Sequence, residues 1–386
     1  MEYSENILRI GLKGTNINAD EIPSSNLVFL IDVSGSMQGV NKLQLAKKSL
    51  KILTKNLHAD DRVSIVVYAG AAGVVLPSTS GDNKQVITES LQNLNAGGST
   101  AGGEGILLAY KIASENFIEH GNNRVVLLTD GDFNVGVSST DELVHLIETQ
   151  RESGVFLTIC GFGMGNYKDY RMEELSNCGN GNYFYIDNLL EANRVFDTDL
   201  TSNIFTVAKD VKIQIEFNPA QVKGYRLLGY ENRVLKSEEF NDDKKDAGEI
   251  GPGHTITALY EIIPANANSD LTQIDQLKYQ KPKLISSEDL ATIKFRYKRP
   301  IEDHSNLITH EVEQILTPFN QSAENTRFAA SVASFGMLLR NSAYKGSGSF
   351  EQVLSIAESS MSHDPFDYRK EFIGLVKMAA VIEKTN

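Results

Sequence analysis

The stretch Leu27-Val28-Phe29-Leu30-Ile31-Asp32-Val33-Ser34-Gly35-Ser36-Met37 decides the reading of this chain. Its opening residues are apolar without alternation. A strand buried on both faces has that pattern, because helices cover both sides of a parallel sheet. Asp32, Ser34 and Ser36 follow at the C-terminal end of the run. Open α/β sheets bind their ligands at that edge. One carboxylate and two hydroxyls carried there by a rigid strand suit a small hard cation. Magnesium takes oxygen donors, accepts only one or two carboxylates and keeps several waters.

Strand and helix patterns alternate outward from this stretch. Leu27–Ile31, Arg62–Tyr68, Val74–Leu76, Val125–Thr129, Phe156–Phe162 and Tyr183–Ile186 read as strands. Leu43, Ala46, Leu50, Leu53 and Leu57 recur at helical spacing, and Lys42, Lys47, Lys48, Lys51 and Lys55 keep the other faces in water. Val86, Leu91 and Leu94 mark a second helix; Ile106, Ala109, Tyr110, Ala113 and Phe117 mark a third. Thr140–Gln150, Tyr170–Cys178 and Leu189–Ser202 complete the set. This alternation predicts a doubly wound, Rossmann-like α/β sheet of six strands, mostly parallel. The link from Tyr68 to Val74 is too short for a helical crossover, so that edge pair is antiparallel. The Asp32 strand is expected at the centre, beside Val125–Thr129, where the winding reverses and a crevice opens.

After about Phe205 the texture changes. Val211, Ile213, Ile215 and Phe217 alternate with polar residues, and Tyr225–Leu228, Thr255–Ile263 and Thr292–Tyr297 look similar. These predict an antiparallel β domain with one face in water. Phe328–Leu339, Phe350–Met361 and Phe366–Ile382 predict a helical layer packed on it. The expected division is therefore an N-terminal strand within 1–25 that joins the β domain, the α/β domain at 26–205, the β domain at 206–310 and the helical region at 311–386.

At 386 residues and 41% hydrophobic content, the chain builds sizeable cores. No apolar run is long enough to span a membrane. The net charge of −13, with no extended Lys/Arg cluster, argues against nucleic acid and against an anionic membrane surface. Cys160 and Cys178 lack zinc-site spacing. Cys160 lies in an apolar run, and parallel topology sets the two thiols toward opposite sheet edges, so no disulfide is expected.

Two further segments converge on the crevice. Gly97-Gly98-Ser99-Thr100-Ala101-Gly102-Gly103 is a glycine-rich loop leading into the third helix, and Thr100 is its natural metal-facing hydroxyl. Leu127-Leu128-Thr129-Asp130-Gly131-Asp132 is another strand that ends in a carboxylate and a glycine. Asp-x-Ser-x-Ser, the loop threonine and the Thr-Asp-Gly strand end together resemble the von Willebrand factor A domain, over roughly residues 26–200. In that family they form the metal-ion-dependent adhesion site. The resemblance implies a metal site of Asp32, Ser34, Ser36, Thr100 and Asp130, acting directly or through water, with magnesium favoured and manganese or calcium as alternatives. It also implies a coordination position completed by a Glu or Asp of a protein partner. Asp132 and Asn134 would shape the rim.

The remainder resembles a bacterial subgroup of A-domain proteins, on segments such as Gly163-Met164-Gly165-Asn166-Tyr167, Gly229-Tyr230-Glu231-Asn232-Arg233 and Ala329–Arg340. Members carry an export or lipoprotein segment. The resemblance therefore implies the cell envelope or an extracytoplasmic location, whereas the polar start Met1–Asn6 does not read as a signal peptide and leaves the cytoplasm open.

Plainer readings compete. Ser and Asp after a strand often cap the next helix, but a cap does not require Thr100 and Asp130 as well. Gly161-x-Gly163-x-Gly165 lacks the dinucleotide spacing. His58, His120, His145 and His254 are scattered. An aspartyl-phosphate enzyme wants a second Asp two residues after the nucleophile, where Ser34 stands. A serine hydrolase wants a histidine, and the motif segments hold none. The expected function is a non-enzymatic, divalent-cation-dependent protein-binding module. The alternatives are a scaffold with a structural metal and a metal-dependent phosphoesterase.

Overall fold

The computed structural model describes residues 6–18, 22–98, 102–131, 140–163, 169–199, 203, 205–230, 234–243, 247–267, 287–300, 302 and 304–385. The chain opens with β1 (Asn6–Lys13) and then enters an α/β unit. Its strands are β2 (Ser25–Asp32), β3 (Arg62–Tyr68), β4 (Ala72–Ser80), β5 (Asn122–Thr129), β6 (Val155–Phe162) and β7 (Tyr183–Ile186). They form one six-stranded sheet in the order β4-β3-β2-β5-β6-β7. Every pairing is parallel except β3 with β4. The three-residue link from Tyr68 to Ala72 dictates that exception, because a helix cannot fit into it. The chain winds outward from β2 in one direction and from β5 in the other, so the crevice lies between them.

Every residue of β2 and of β5 is buried. In β2 the side chains alternate between two cores. Leu27, Phe29 and Ile31 pack with α1 (Leu43–Asn56), α2 (Lys84–Gln92) and α6 (Leu189–Asn193), through Leu50, Ile87 and Ala192 among others. Val28 and Leu30 pack on the opposite face with α3 (Gly102–Glu115), α4 (Thr140–Glu152) and α5 (Asp169–Cys178), through Ala109, Ile147 and Met172. This two-sided burial explains the unbroken apolar run. Polar side chains at the start of the sheet are tied down. Asp61 accepts the N–H groups of Ser25 and His58, and Asn26 donates to the carbonyl of Ala113.

Three readings of the helices need correction. The buried face of α2 runs through Ile87 and Leu91, whereas Val86 is exposed and Leu94 is buried beyond the helix end. Phe117 lies past the end of α3 and is exposed. The lysines of α1 do not all sit in water. Lys47 donates to the carbonyls of Gln92 and Leu94, closing the end of α2, and Lys42 turns toward the crevice. Long aliphatic stems let such side chains cross a surface that spacing alone reads as solvated.

The second half holds two antiparallel sheets. One has the order β1-β11-β9, from β9 (Val222–Leu228) and β11 (Thr255–Pro264). The other has the order β10-β8-β12-β13, from β8 (Ala208–Phe217), β10 (Gly248–Ile250), β12 (Asp289–Lys298) and β13 (Asn306–Glu313). The whole of β1 lies along β11, Asn6 opposite Ile262 and Lys13 opposite Thr255. β10 and β13 carry weak patterns. One is three residues long, and the other is an edge strand exposed along most of its length. Phe217 joins the sheets, with ring centroids 4.3 Å from Tyr225 and 5.5 Å from Tyr260. The helix Glu324–Leu339 lays Met337 on Leu228 and Leu259. Phe350–Glu358 and Tyr368–Thr385 pack behind it around Val353 and Val376. Asn188, at the start of α6, donates to Glu371 at 3.1 Å and ties the α/β unit to the last helix. No described helix is long and apolar enough to cross a membrane.

Cys160 is fully buried and Cys178 partly so, and neither is disulfide-bonded. Burial pushes the Cys160 thiol far up from its ordinary range. A thiol reagent applied to the folded protein is therefore expected to modify Cys178 at most, and to reach Cys160 only after unfolding. Phe29 fills the centre of its core, and Phe29→Ala is expected to cost about 3–5 kcal/mol in urea unfolding, with an unchanged denaturant slope.

Candidate metal centre

β2 ends at Asp32, and the chain turns sharply there because the neighbouring backbones hold it. The N–H of Val33 donates to the carbonyl of Tyr68, that of Gly35 to Gly98 at 3.0 Å, and that of Gly97 to Val33 at 2.8 Å. The glycine-rich loop is thus stitched to the Asp-x-Ser-x-Ser segment on both sides. A short 3-10 turn, Gly35–Met37, follows, anchored by the buried Met37. The carboxylate of Asp32 is wholly enclosed. Its Oδ1 accepts the N–H of Ser34 at 2.8 Å. Its Oδ2 accepts the hydroxyl of Tyr68 at 3.1 Å and that of Thr129 at 3.4 Å. Parallel pairing sets Tyr68 directly beside Asp32. The Ser34 and Ser36 hydroxyls lie 2.9 Å apart, Ser34 buried and Ser36 open to solvent.

Asp130 enters from the end of β5. The following Gly131 has φ +87°, a left-handed turn that a side chain would strain. Its N–H donates back to the Thr129 hydroxyl at 3.2 Å. Lys42 reaches across from the start of α1. Its Nζ donates to Asp130 Oδ2 at 2.8 Å and to the carbonyl of Ser36 at 3.0 Å.

Four of the five expected ligands therefore meet at one sheet edge: Asp32, Ser34, Ser36 and Asp130. Thr100 lies outside the described residues, as do Asp132 and Asn134. Tyr68, Thr129 and Lys42 belong to the centre too and were not singled out as site residues. A strand-end position opposite Asp32 was a signal for Tyr68, and Thr129 stands inside the quoted motif. Lys42 had no signal, since it belongs to a run of helix lysines.

The electrostatics are those of two acids crowded into a low dielectric. Burial lifts the Asp32 carboxyl above its usual range, and the nearby Asp130 pushes the same way. The Ser34 hydroxyl and N–H and the Tyr68 hydroxyl pull it back. Tyr68 is driven well above the ordinary phenol range by its own burial and by Asp32, so it stays a donor. Burial outweighs the Asp130 repulsion on Asp32, and Lys42 already sets a positive charge on Asp130. Among the described residues no group of three or more His, Cys, Asp and Glu side chains gathers as a metal cluster. Here the donors are a mixed set of two carboxylates and hydroxyls, which fits a hard cation that keeps much of its water. Among the described residues the Ser34 hydroxyl pairs with that of Ser36, and no histidine is hydrogen-bonded to either.

The von Willebrand factor type A domain model matches residues 26–198. A second model, described as Uncharacterized protein YfbK, C-terminal, matches residues 202–382. The chain is 42% identical over 377 residues to the uncharacterized protein YfbK of Escherichia coli (strain K12), covering 97% of this chain and 64% of that protein. It is 26% identical over 173 residues to inter-alpha-trypsin inhibitor heavy chain H3 of Homo sapiens, covering 42% of this chain and 19% of that protein. The chain thus spans less than two thirds of the length of these curated relatives. Among solved structures it is similar to the von Willebrand factor type A protein from Catenulispora acidiphila, with a TM-score of 0.49 and 13% identity, covering 93% of this chain and 88% of that one. Residues 26–198 are thus a von Willebrand factor type A domain, of a kind that is often an adhesion or protein-interaction module, followed at 202–382 by a region that matches the YfbK C-terminal model.

Proposed function

We propose that this protein is a divalent-cation-dependent protein-binding module. The supporting observation is the buried Asp32 held beside Asp130 with the Ser34 and Ser36 hydroxyls at the crevice between β2 and β5. Asp32, Ser34, Ser36, Thr100 and Asp130 would hold the ion, directly or through water. Magnesium suits this set, with manganese or calcium as substitutes. When bound, the ion supplies a residual positive charge and a water-filled coordination position that a partner's Glu or Asp carboxylate can take.

The chain's own residues prepare that event. Tyr68 and the Ser34 N–H occupy the inner lone pairs of Asp32, so the carboxylate is fixed without free rotation. The burial of Ser34 and Asp32 excludes bulk water from the inner side, while the exposed Ser36 leaves the outer side accessible. Val40, 84% exposed in the turn between Met37 and Lys42, offers an apolar contact. Non-enzymatic action and a cell-envelope setting belong to the same reading.

Calorimetric titration with magnesium is expected to show binding by the wild type. Partners that merely orient a ligand are worth about 10–100-fold in metal affinity, so Asp130→Ala is expected to lose at least that much. Equal affinity in the two proteins would refute the metal assignment. Capture of a protein partner on the immobilised chain is expected to fail in EDTA and to return with magnesium. Capture indifferent to EDTA would favour a scaffold in which the β and helical parts do the binding. Turnover of a phosphate ester that is abolished by Asp32→Asn would favour a phosphoesterase.

A further inference from the structure

Lys42 is the residue the proposed site does not use. It stands at the N-terminal boundary of α1, the positive end of a 14-residue helix, where a cation is disfavoured. Its arm nevertheless runs inward. Its Nζ sits on Asp130 Oδ2 at 2.8 Å and on the carbonyl of Ser36 at 3.0 Å. The Asp130 side chain is 4% exposed and that of Lys42 21%, so this is no freely solvated surface pair. The path of the arm is shaped for it. A Cβ added to Gly163 would lie 2.5 Å from Lys42 Cε, and Gly163 has φ +83°. The hydroxyl of Tyr185 donates to the carbonyl of Gly163 and pins that turn from beneath. A glycine with its backbone anchored and its side-chain space given to a lysine stem makes a channel across the top of β6.

We propose that Lys42 is an internal cation that competes with a divalent ion for Asp130 and thereby sets the metal affinity of the site. The inference rests on the metal reading above. With an ammonium already on the Asp130 carboxylate, a second cation must either displace it or bind against its repulsion. Both routes weaken divalent binding. The lysine also neutralises Asp130 when divalent ion is scarce, so the centre stays folded across metal concentrations. The site is then loaded only above a threshold that Lys42 determines.

The test is magnesium calorimetry at fixed pH and ionic strength on the wild type, Lys42→Met, Lys42→Gln and Lys42→Arg. Removing the charge is expected to tighten magnesium binding by about tenfold or more in both neutral variants, while Lys42→Arg stays near the wild type. The two neutral variants guard against a folding defect in either one. Thermal unfolding gives an independent readout. In EDTA, Lys42→Met should melt below the wild type, because Asp130 loses a charge partner in a buried setting. Magnesium should then raise its melting temperature more than that of the wild type. Measurable magnesium binding with equal affinity in wild type and neutral variants would overturn the competition and leave the metal reading standing. Absence of magnesium and manganese binding in all four proteins would overturn the metal reading itself, and the competition with it.

Discussion

A carboxylate at the end of a fully buried strand has to be satisfied, and much of this protein follows from how Asp32 is satisfied. It has no access to water. Removing such a group from solvent costs several kcal/mol unless donors replace the water. Those donors come from separate places: the next turn through Ser34, the neighbouring strand through Tyr68, and the strand on the other side through Thr129. The constraint therefore couples the register of β2, β3 and β5. A slip of one residue would send Tyr68 to the opposite face and leave the acid bare.

The same constraint organises the charge. Burial lifts the Asp32 carboxyl, with Asp130 adding a smaller push, and the Ser34 and Tyr68 donors offset part of that. Lys42 answers from within the chain at 2.8 Å, over a glycine turn that leaves room for its stem. Charge, turn geometry and helix placement thus serve one centre. A metal at such a place would bind in competition with the protein's own ammonium.

Around this unit the second half of the chain builds a different kind of structure. The β sheets and the C-terminal helices share small cores around Leu228, Leu259 and Val376. They meet the α/β unit through contacts such as Asn188 with Glu371. The α/β domains of this family are often interaction modules. An attached β and helical body enlarges the surface next to such a module.

The apolar run before Asp32, the helical spacing of Leu43 to Leu57 and the short link after Tyr68 were enough to read the doubly wound sheet and its antiparallel edge. Those features are local, since burial on two faces, helical periodicity and loop length are properties of neighbours in sequence. That the Asp-x-Ser-x-Ser segment and Asp130 meet was likewise legible, because both stand at the C-terminal ends of strands expected to be parallel neighbours. The rest was decided in three dimensions. Val86 and Ile87 are adjacent apolar residues, and only the packing of α2 against the sheet buries Ile87 and exposes Val86. β13 lacks an alternating buried face because it is an edge strand, so its pairing with β12 had no pattern to announce it. Lys42 looked like one helix lysine among several until the fold brought Asp130 to it across 88 residues of sequence. Composition and spacing specify which side chains are apolar or charged; only tertiary contact specifies which distant charge meets which, because that pairing depends on chain paths that no local pattern encodes.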